Sequence, residues 1–201
     1  LTKEETSVLG QTFKRDETRT IVEYQCSKGF ETSDLTFRYE FTDLDDRENV
    51  VGNFKSHAAE LGYSLDFGEN LNRRWDSRLR YFTRSGRAQS TFLTADEALR
   101  IDHYENLFTD YRYLLTRIET DVGATTTHAG TVRAQHRLYR SLTSTLTGQG
   151  TLEDLPTGER TRYAGQLDLD YQRAVPWNGR VFAGTGVRYQ IDDNRFTVSR
   201  V

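Results

Sequence analysis

From about residue 57 onward, apolar and polar residues alternate along the chain. In the segment 57–67, Leu61, Tyr63 and Phe67 would share one face, while Glu60 and Asp66 would point to the other. Successive side chains of a strand point to opposite faces, so this alternation is typical of a β-strand. The sequence therefore predicts a series of strands, each apolar on one side and polar on the other.

Turn-forming residues separate the alternating segments and predict hairpins. We place the clearest hairpins at about 57–82, 106–124, 130–150 and 162–189. The predicted short turns are 68–72, 115–117, 139–141 and 173–179, the last with Asn178-Gly179, and the predicted longer connections are 84–105, 125–129 and 151–160. We expect a helical turn around 95–99. Strands near 18–25 and 34–43 are also expected, in a less regular amino-terminal part, 1–56.

These elements predict an all-β protein, an antiparallel up-and-down β-barrel of about ten strands. We expect one domain over 1–201, which is either a barrel or a segment of a larger barrel. The chain has neither an initiating Met nor a signal peptide and starts at Leu1. It ends in Arg200-Val201, whereas such barrels usually end in an aromatic residue. The start is typical of a mature protein or of a fragment of a longer one, and the end favours a fragment or one segment of a larger barrel.

Charge divides sharply between the two predicted faces. The chain is 28% charged, yet none of the positions assigned to the apolar face between residues 61 and 189 is Asp, Glu, Lys or Arg. Acids and arginines occur in similar numbers on the other face, which we predict to line a lumen. The predicted lumen-facing residues are Asp66, Asp76, Arg78, Arg80, Asp110, Arg112, Asp168, Asp170 and Arg188.

Three features favour a membrane barrel over a soluble sheet. Strands of about ten residues, tilted near 40°, span roughly the 25 Å apolar band of such barrels. Short and long connections are predicted to alternate. Aromatic residues lie at the predicted strand ends, as interfacial girdles do, and the predicted girdle is Phe67, Trp75, Tyr81, Tyr163, Tyr171, Trp177 and Tyr189. A soluble antiparallel sheet also alternates, so a soluble extracellular β-sandwich or barrel remains the alternative.

Residues 57–190 resemble the hairpins of large proteobacterial outer-membrane β-barrels, of the porin-like and porin–cytochrome conduit types. The segments Leu61–Phe67, Arg74–Thr83 and Gly179–Tyr189 carry the resemblance, which is generic and assigns no single family. It implies the outer membrane of a Gram-negative bacterium as the location and the lipid bilayer as a partner. Other outer-membrane or periplasmic proteins are further candidate partners.

The chemistry-bearing residues form no catalytic, cofactor or metal pattern. Cys26 is the single cysteine, and the four histidines (His57, His103, His128, His136) lack metal-ligand spacing. Asp168 and Asp170 lie on one face of one strand, where arginines on neighbouring strands explain them better than acid–base catalysis does. The net charge of −3 gives no basic stripe for nucleic acid.

The sequence therefore predicts a pore, conduit or scaffold without catalysis. The alternative function, on the soluble reading, is binding of a glycan or a protein. Near-equal acids and arginines on the inner face predict weak ion selectivity, because a selective pore shows an excess of one sign. We expect Arg78, Arg80 and Arg188 each to lie near a carboxylate on an adjacent strand.

Overall fold

The computed structural model describes residues 2–8, 11–46, 52–175, 179–192 and 195–200, and side chains within 18–46, 52–175 and 180–192. These residues form twelve strands: β1 (Thr2–Val8), β2 (Gln11–Gly29), β3 (Ser33–Asp46), β4 (Phe54–Phe67), β5 (Arg73–Gly86), β6 (Ser90–Tyr104), β7 (Leu107–Thr120), β8 (Gly123–Tyr139), β9 (Leu142–Leu155), β10 (Gly158–Val175), β11 (Gly179–Asp192) and β12 (Arg195–Arg200). Among the described residues, no helix is long and apolar enough to cross a membrane.

The strands form one antiparallel sheet in which each strand pairs with the strand before it and the strand after it in sequence. The spatial order runs from β1 to β12, so β1 and β12 are the two edges. The predicted up-and-down fold is confirmed, with twelve strands in place of about ten. The predicted strands near 18–25 and 34–43 are confirmed as parts of β2 and β3.

The predicted long polar connection 84–105 is wrong, because most of it is β6. Helix-forming residues in 95–99 suggested a helical turn, but β6 pairs with β5 from Arg73↔Ile101 to Arg84↔Ser90. It pairs with β7 over a similar length. Two complete ladders of backbone hydrogen bonds override the local helix propensity of a few residues.

The predicted reversal at 115–117 and the predicted loop at 125–129 are also wrong. β7 continues straight to Thr120, and the chain turns at 121–122. Gly123 follows this turn with φ 140°, a conformation that favours glycine. The threonines of 125–127 lie within β8, where β-branched side chains favour a strand. Ile118 and Thr120 therefore lie on the face opposite to the one predicted.

At both ends of the sheet, the connections that the structure describes in full are short. The turns 30–32, 68–72, 105–106 and 140–141 lie at one end, called the first end below. The turns 87–89, 121–122 and 156–157 lie at the other, called the second end. The predicted turns at 68–72 and 139–141 are confirmed, whereas the predicted alternation of short and long connections is wrong.

The described sheet is a single layer with almost no interior. Among its described side chains, Ala164 is the buried hydrophobic residue, at 8% exposure. Large apolar side chains such as Leu61, Leu146 and Leu167 are about half exposed, at 43%, 56% and 44%. The stability of this sheet therefore depends on what contacts its apolar side chains from outside.

Candidate functional site: the charged face of the sheet

The strand register sorts side chains into an apolar face and a charged face. Leu61 pairs with Leu79, and Leu79 with Ala95, so these residues share the apolar face. Glu60 pairs with Arg80, and Arg78 with Asp96, on the opposite, charged face. The same division continues along the register to β11, where Leu167 pairs with Val187 and Gln166 with Arg188.

On β10, the apolar face carries an uncharged band bounded by charged residues. Glu159 and Arg173 flank six uncharged positions on this face: Thr161, Tyr163, Gly165, Leu167, Leu169 and Tyr171. Ten residues at about 3.3 Å each extend about 33 Å, which becomes about 25 Å for a strand tilted near 40°. The band therefore has the height of a bilayer's apolar layer.

The charged face carries a ladder of charges on six strands, β2 to β7, in which ion pairs join β2 to β3, β4 to β5 and β6 to β7. Arg38 Nε lies 3.0 Å from Glu23 Oε1, and Arg38 is directly opposite Glu60 in the register. Glu60 forms ion pairs with Arg78 at 3.3 Å and with Arg80 at 3.2 Å, both on β5. One carboxylate thus holds two guanidinium groups on the neighbouring strand.

The ladder ends in its best-formed pair, between β6 and β7. Arg112 Nε donates to Asp96 Oδ1 at 2.9 Å, and Arg112 Nη2 donates to Asp96 Oδ2 at 2.6 Å. Such bidentate pairs are the strongest that Arg forms with a carboxylate. An open groove of about 430 Å³ beside the ladder is lined by Asp34, Ser64, Arg74, Asp76, Arg78 and Arg112, among others.

Beyond the ladder, the charged face becomes mostly neutral on β8 and β9. Thr131, Thr147 and Gln149 occupy this face in register, with Arg133 beside Thr147. Charges return on β10 and β11, where Gln166 donates to Asp168 at 2.9 Å and 3.0 Å. The charges of this face are therefore densest on β2 to β7, with a second group on β10 and β11, and Phe82, Phe92 and Ile118 form an apolar patch on the same face.

All nine residues predicted to line a lumen lie on the charged face. Arg78 and Arg80 each meet a carboxylate of an adjacent strand, as expected, and that carboxylate is Glu60. Arg188 lies opposite Gln166, and no ion pair is recorded for it within the described part of the chain. The assignment of this face to a lumen stays a prediction.

The predicted girdle residues with described side chains lie on the apolar face. On β5, Trp75 is near the first end and Tyr81 is nearer the second end. On β10, Tyr171 is nearer the first end and Tyr163 is nearer the second end. Phe67 and Tyr189 share this face. Trp177 lies outside the described residues.

Sequence reasoning missed Glu97, a carboxylate near the middle of the apolar face. The sequence predicts a loop at this position, but the strand register places Glu97 opposite Ser77 and Tyr113. Trp75 Nε1 donates to Glu97 Oε2 at 2.8 Å, and Ser77 Oγ donates to Glu97 Oε1 at 2.7 Å. Alternation through Leu93, Ala95 and Leu99 was the available signal, and Glu97 itself interrupted it.

The described residues contain no group of three or more His, Cys, Asp or Glu side chains that could hold a metal ion. The acids of the ladder are instead engaged by arginines. The chemistry of this face is therefore ion pairing and hydrogen bonding between neighbouring strands.

Comparisons with known proteins support the fold. The sequence matches no protein-family model and no curated protein. Among solved structures, in-vitro folded OmpT, an outer membrane protein of Vibrio cholerae, matches with TM-score 0.50 at 10% identity, over 94% of this chain and 93% of that one. A loop L8 deletion mutant of OmpT matches with TM-score 0.48 at 9% identity, over 95% and 89%. A bacterial polysaccharide outer membrane secretin matches with TM-score 0.45 at 13% identity, over 98% and 69%. The chain has the fold of outer-membrane β-barrel proteins.

Proposed function

We propose that this chain forms the wall of an outer-membrane β-barrel of a Gram-negative bacterium, acting as a pore, conduit or scaffold without catalysis. The apolar face contacts lipid, and the charged face lines the interior. Each strand from β2 to β11 pairs with two neighbours, and closure of the wall would satisfy the edges of β1 and β12.

One observation carries this proposal: a single-layer sheet exposes an apolar band of about bilayer height, in which the carboxylate of Glu97 is held by Trp75 and Ser77. A soluble sandwich covers such a face with a second layer. Here Leu146 is 56% exposed and Leu167 44% exposed, midway along their strands. At about 25 cal/mol per Å² of apolar area, leaving such a band in water is expensive for a domain with almost no other core.

The charged face supports an interior role because its pairs are geometrically ordered yet exposed. The side chains of Arg112 and Asp96 are 62% and 25% exposed, and those of Arg78 and Glu60 55% and 37%. Exposed pairs contribute about 0–1 kcal/mol each. The ladder therefore does little for stability by itself and mainly fixes the charge pattern and shape of the inner wall.

Dependence on an amphiphile tests the membrane assignment. We expect the chain to fold when diluted from urea into phosphatidylcholine vesicles or detergent and to aggregate in plain buffer. Protease resistance and co-flotation with the vesicles report insertion. A folded monomer in plain buffer would contradict the barrel and favour the soluble β-domain that binds glycan or protein.

The pore is expected to show weak ion selectivity. In the ladder, the acids Glu23, Glu60 and Asp96 face Arg38, Arg78, Arg80 and Arg112, so neither sign dominates. Glu60→Gln leaves two arginines without their carboxylate and should shift the reversal potential in a planar bilayer toward anions. Arg78→Gln should shift it toward cations.

Glu69→Gln, in a turn outside the wall, makes the same charge change as Glu60→Gln and should barely move the reversal potential. A strong anion preference of the unmodified pore that vanishes when Arg78 and Arg80 are replaced would contradict the wall-support role. Those arginines would then form a solute pathway.

A further inference from the structure

Two tyrosine–histidine pairs on the apolar face have the same geometry. Tyr39 Oη lies 2.7 Å from His57 Nδ1, and Tyr113 Oη lies 2.7 Å from His128 Nδ1. In both pairs the ring centroids are 6.2 Å apart and the ring planes are inclined by 37°. The first pair joins β3 to β4, and the second joins β7 to β8.

The local sequences around the two pairs match in register as well. Tyr39 is directly opposite Ala59, two residues after His57, and Tyr113 is directly opposite Gly130, two residues after His128. The small residue leaves room for the tyrosine ring to lean toward the imidazole. A structural arrangement that occurs twice, four strands apart, is more than incidental packing.

Both pairs lie where the uncharged band ends, toward the second end of the sheet. Lys55 is the next residue to His57 on this face and lies two positions nearer the second end. Leu115 is the residue opposite His128, and Arg117 lies two positions nearer the second end than Leu115. Lys55 and Arg117 contact Asp43 at 3.3 Å and Glu119 at 3.5 Å, so the charged rim begins one step beyond each pair.

Each pair keeps a hydrogen-bond donor that the pair itself does not use. If the tyrosine donates to Nδ1, the imidazole carries its proton on Nε2; if Nδ1 donates, the tyrosine hydroxyl keeps its proton. Either way, one N–H or O–H remains to donate outward. His57 is exposed and Tyr113 is 42% exposed, whereas Tyr39 and His128 are half-buried, so each pair presents one of its two residues at the surface of the sheet.

We propose that each pair binds the phosphate of a lipid headgroup and that the two pairs fix the depth of the wall in the bilayer at its second end. This rests on the proposed membrane orientation. The tyrosine orients the imidazole, the remaining donor bonds a phosphate oxygen, and the adjacent Lys55 or Arg117 lies close to the same headgroup. Because each site lies one step inside the charged rim, the two sites together hold the rim at one headgroup layer.

Distance-dependent ¹⁵N–³¹P dephasing in solid-state NMR tests this on the full chain in phosphatidylcholine vesicles, with histidines ¹⁵N-labelled. We expect dephasing of His57 and His128. Tyr39→Phe should remove it for His57 alone, and Tyr113→Phe for His128 alone, so each variant controls for the other. Single histidine replacements assign the signals.

The same measurement in a sugar-headgroup detergent with added inorganic phosphate separates the lipid from free phosphate. Dephasing there would overturn the lipid source. In vesicles, absence of dephasing, or dephasing unchanged by both tyrosine variants, would overturn the site itself. Co-flotation and protease resistance are checked first, so a chain that inserts but shows no dephasing contradicts only this inference, whereas a chain that fails to insert contradicts the proposed membrane function.

Discussion

An arginine in place of Leu167 is expected to cost about 2–4 kcal/mol of folding free energy in a bilayer, as charged side chains do near the midplane of a barrel wall. Leu167 lies between Leu146 and Val187 in the register, in the centre of the uncharged band. Urea titration of folding into phosphatidylcholine vesicles measures the loss. The arginine has no carboxylate nearby on that face and must displace lipid contact.

Gln166→Arg is the matched control, because Gln166 is the adjacent residue on the charged face. Its amide contacts Asp168 at 2.9 Å, and an arginine can make the same contact with a charge to match. We expect a cost below about 1 kcal/mol for this half-buried position on the charged face. Equal costs for the two variants, or a larger cost for Gln166→Arg, would contradict the assignment of the apolar face to lipid.

Removing the donors that hold Glu97 is expected to produce the second large loss. Trp75→Phe with Ser77→Ala removes both hydrogen bonds to this carboxylate while keeping the aromatic ring. Hydrogen bonds to charged groups contribute about 1.5–3 kcal/mol each. We expect about 2–4 kcal/mol in total, less than the sum of two such bonds, because measured contributions of neighbouring groups do not add fully. The same urea titration in vesicles measures it.

Two further variants decide whether contact with lipid causes this loss of stability. Adding Glu97→Leu to Trp75→Phe and Ser77→Ala should restore most of the lost stability, since no carboxylate then remains in the band. Arg112→Met removes the donors from Asp96, the neighbouring carboxylate on the charged face, and should cost less than about 1 kcal/mol because water solvates Asp96. Similar losses for both carboxylates would mean that both faces are wet.

The alternation of apolar and polar residues was sufficient to predict the architecture in those strands where it is unbroken. In β10 and β11, every second residue from Tyr163 to Tyr171 and from Val181 to Tyr189 is uncharged, and the register confirms the assignment. The nine residues predicted for the charged face lie there for the same reason. Alternation fixes the face of a side chain without any knowledge of its partner.

Prediction failed where one residue broke the alternation or where a local motif imitated a turn. Glu97 divided β6 into apparent helix formers, so one strand was missed, and the following strand was divided at 115–117. The ion-pair partners were also beyond sequence reasoning. That Glu60 holds both Arg78 and Arg80 depends on the register between β4 and β5, which turn length and packing decide together.

The strict succession of strands makes this wall modular. Because every ladder joins strands that are consecutive in sequence, a gene could gain or lose a whole hairpin and leave all remaining pairings intact, as in linear repeat proteins. The number of strands in the wall would change, while the length of each strand would stay the same. The recurrence of one tyrosine–histidine arrangement four strands along is what copying of two such hairpins would leave behind.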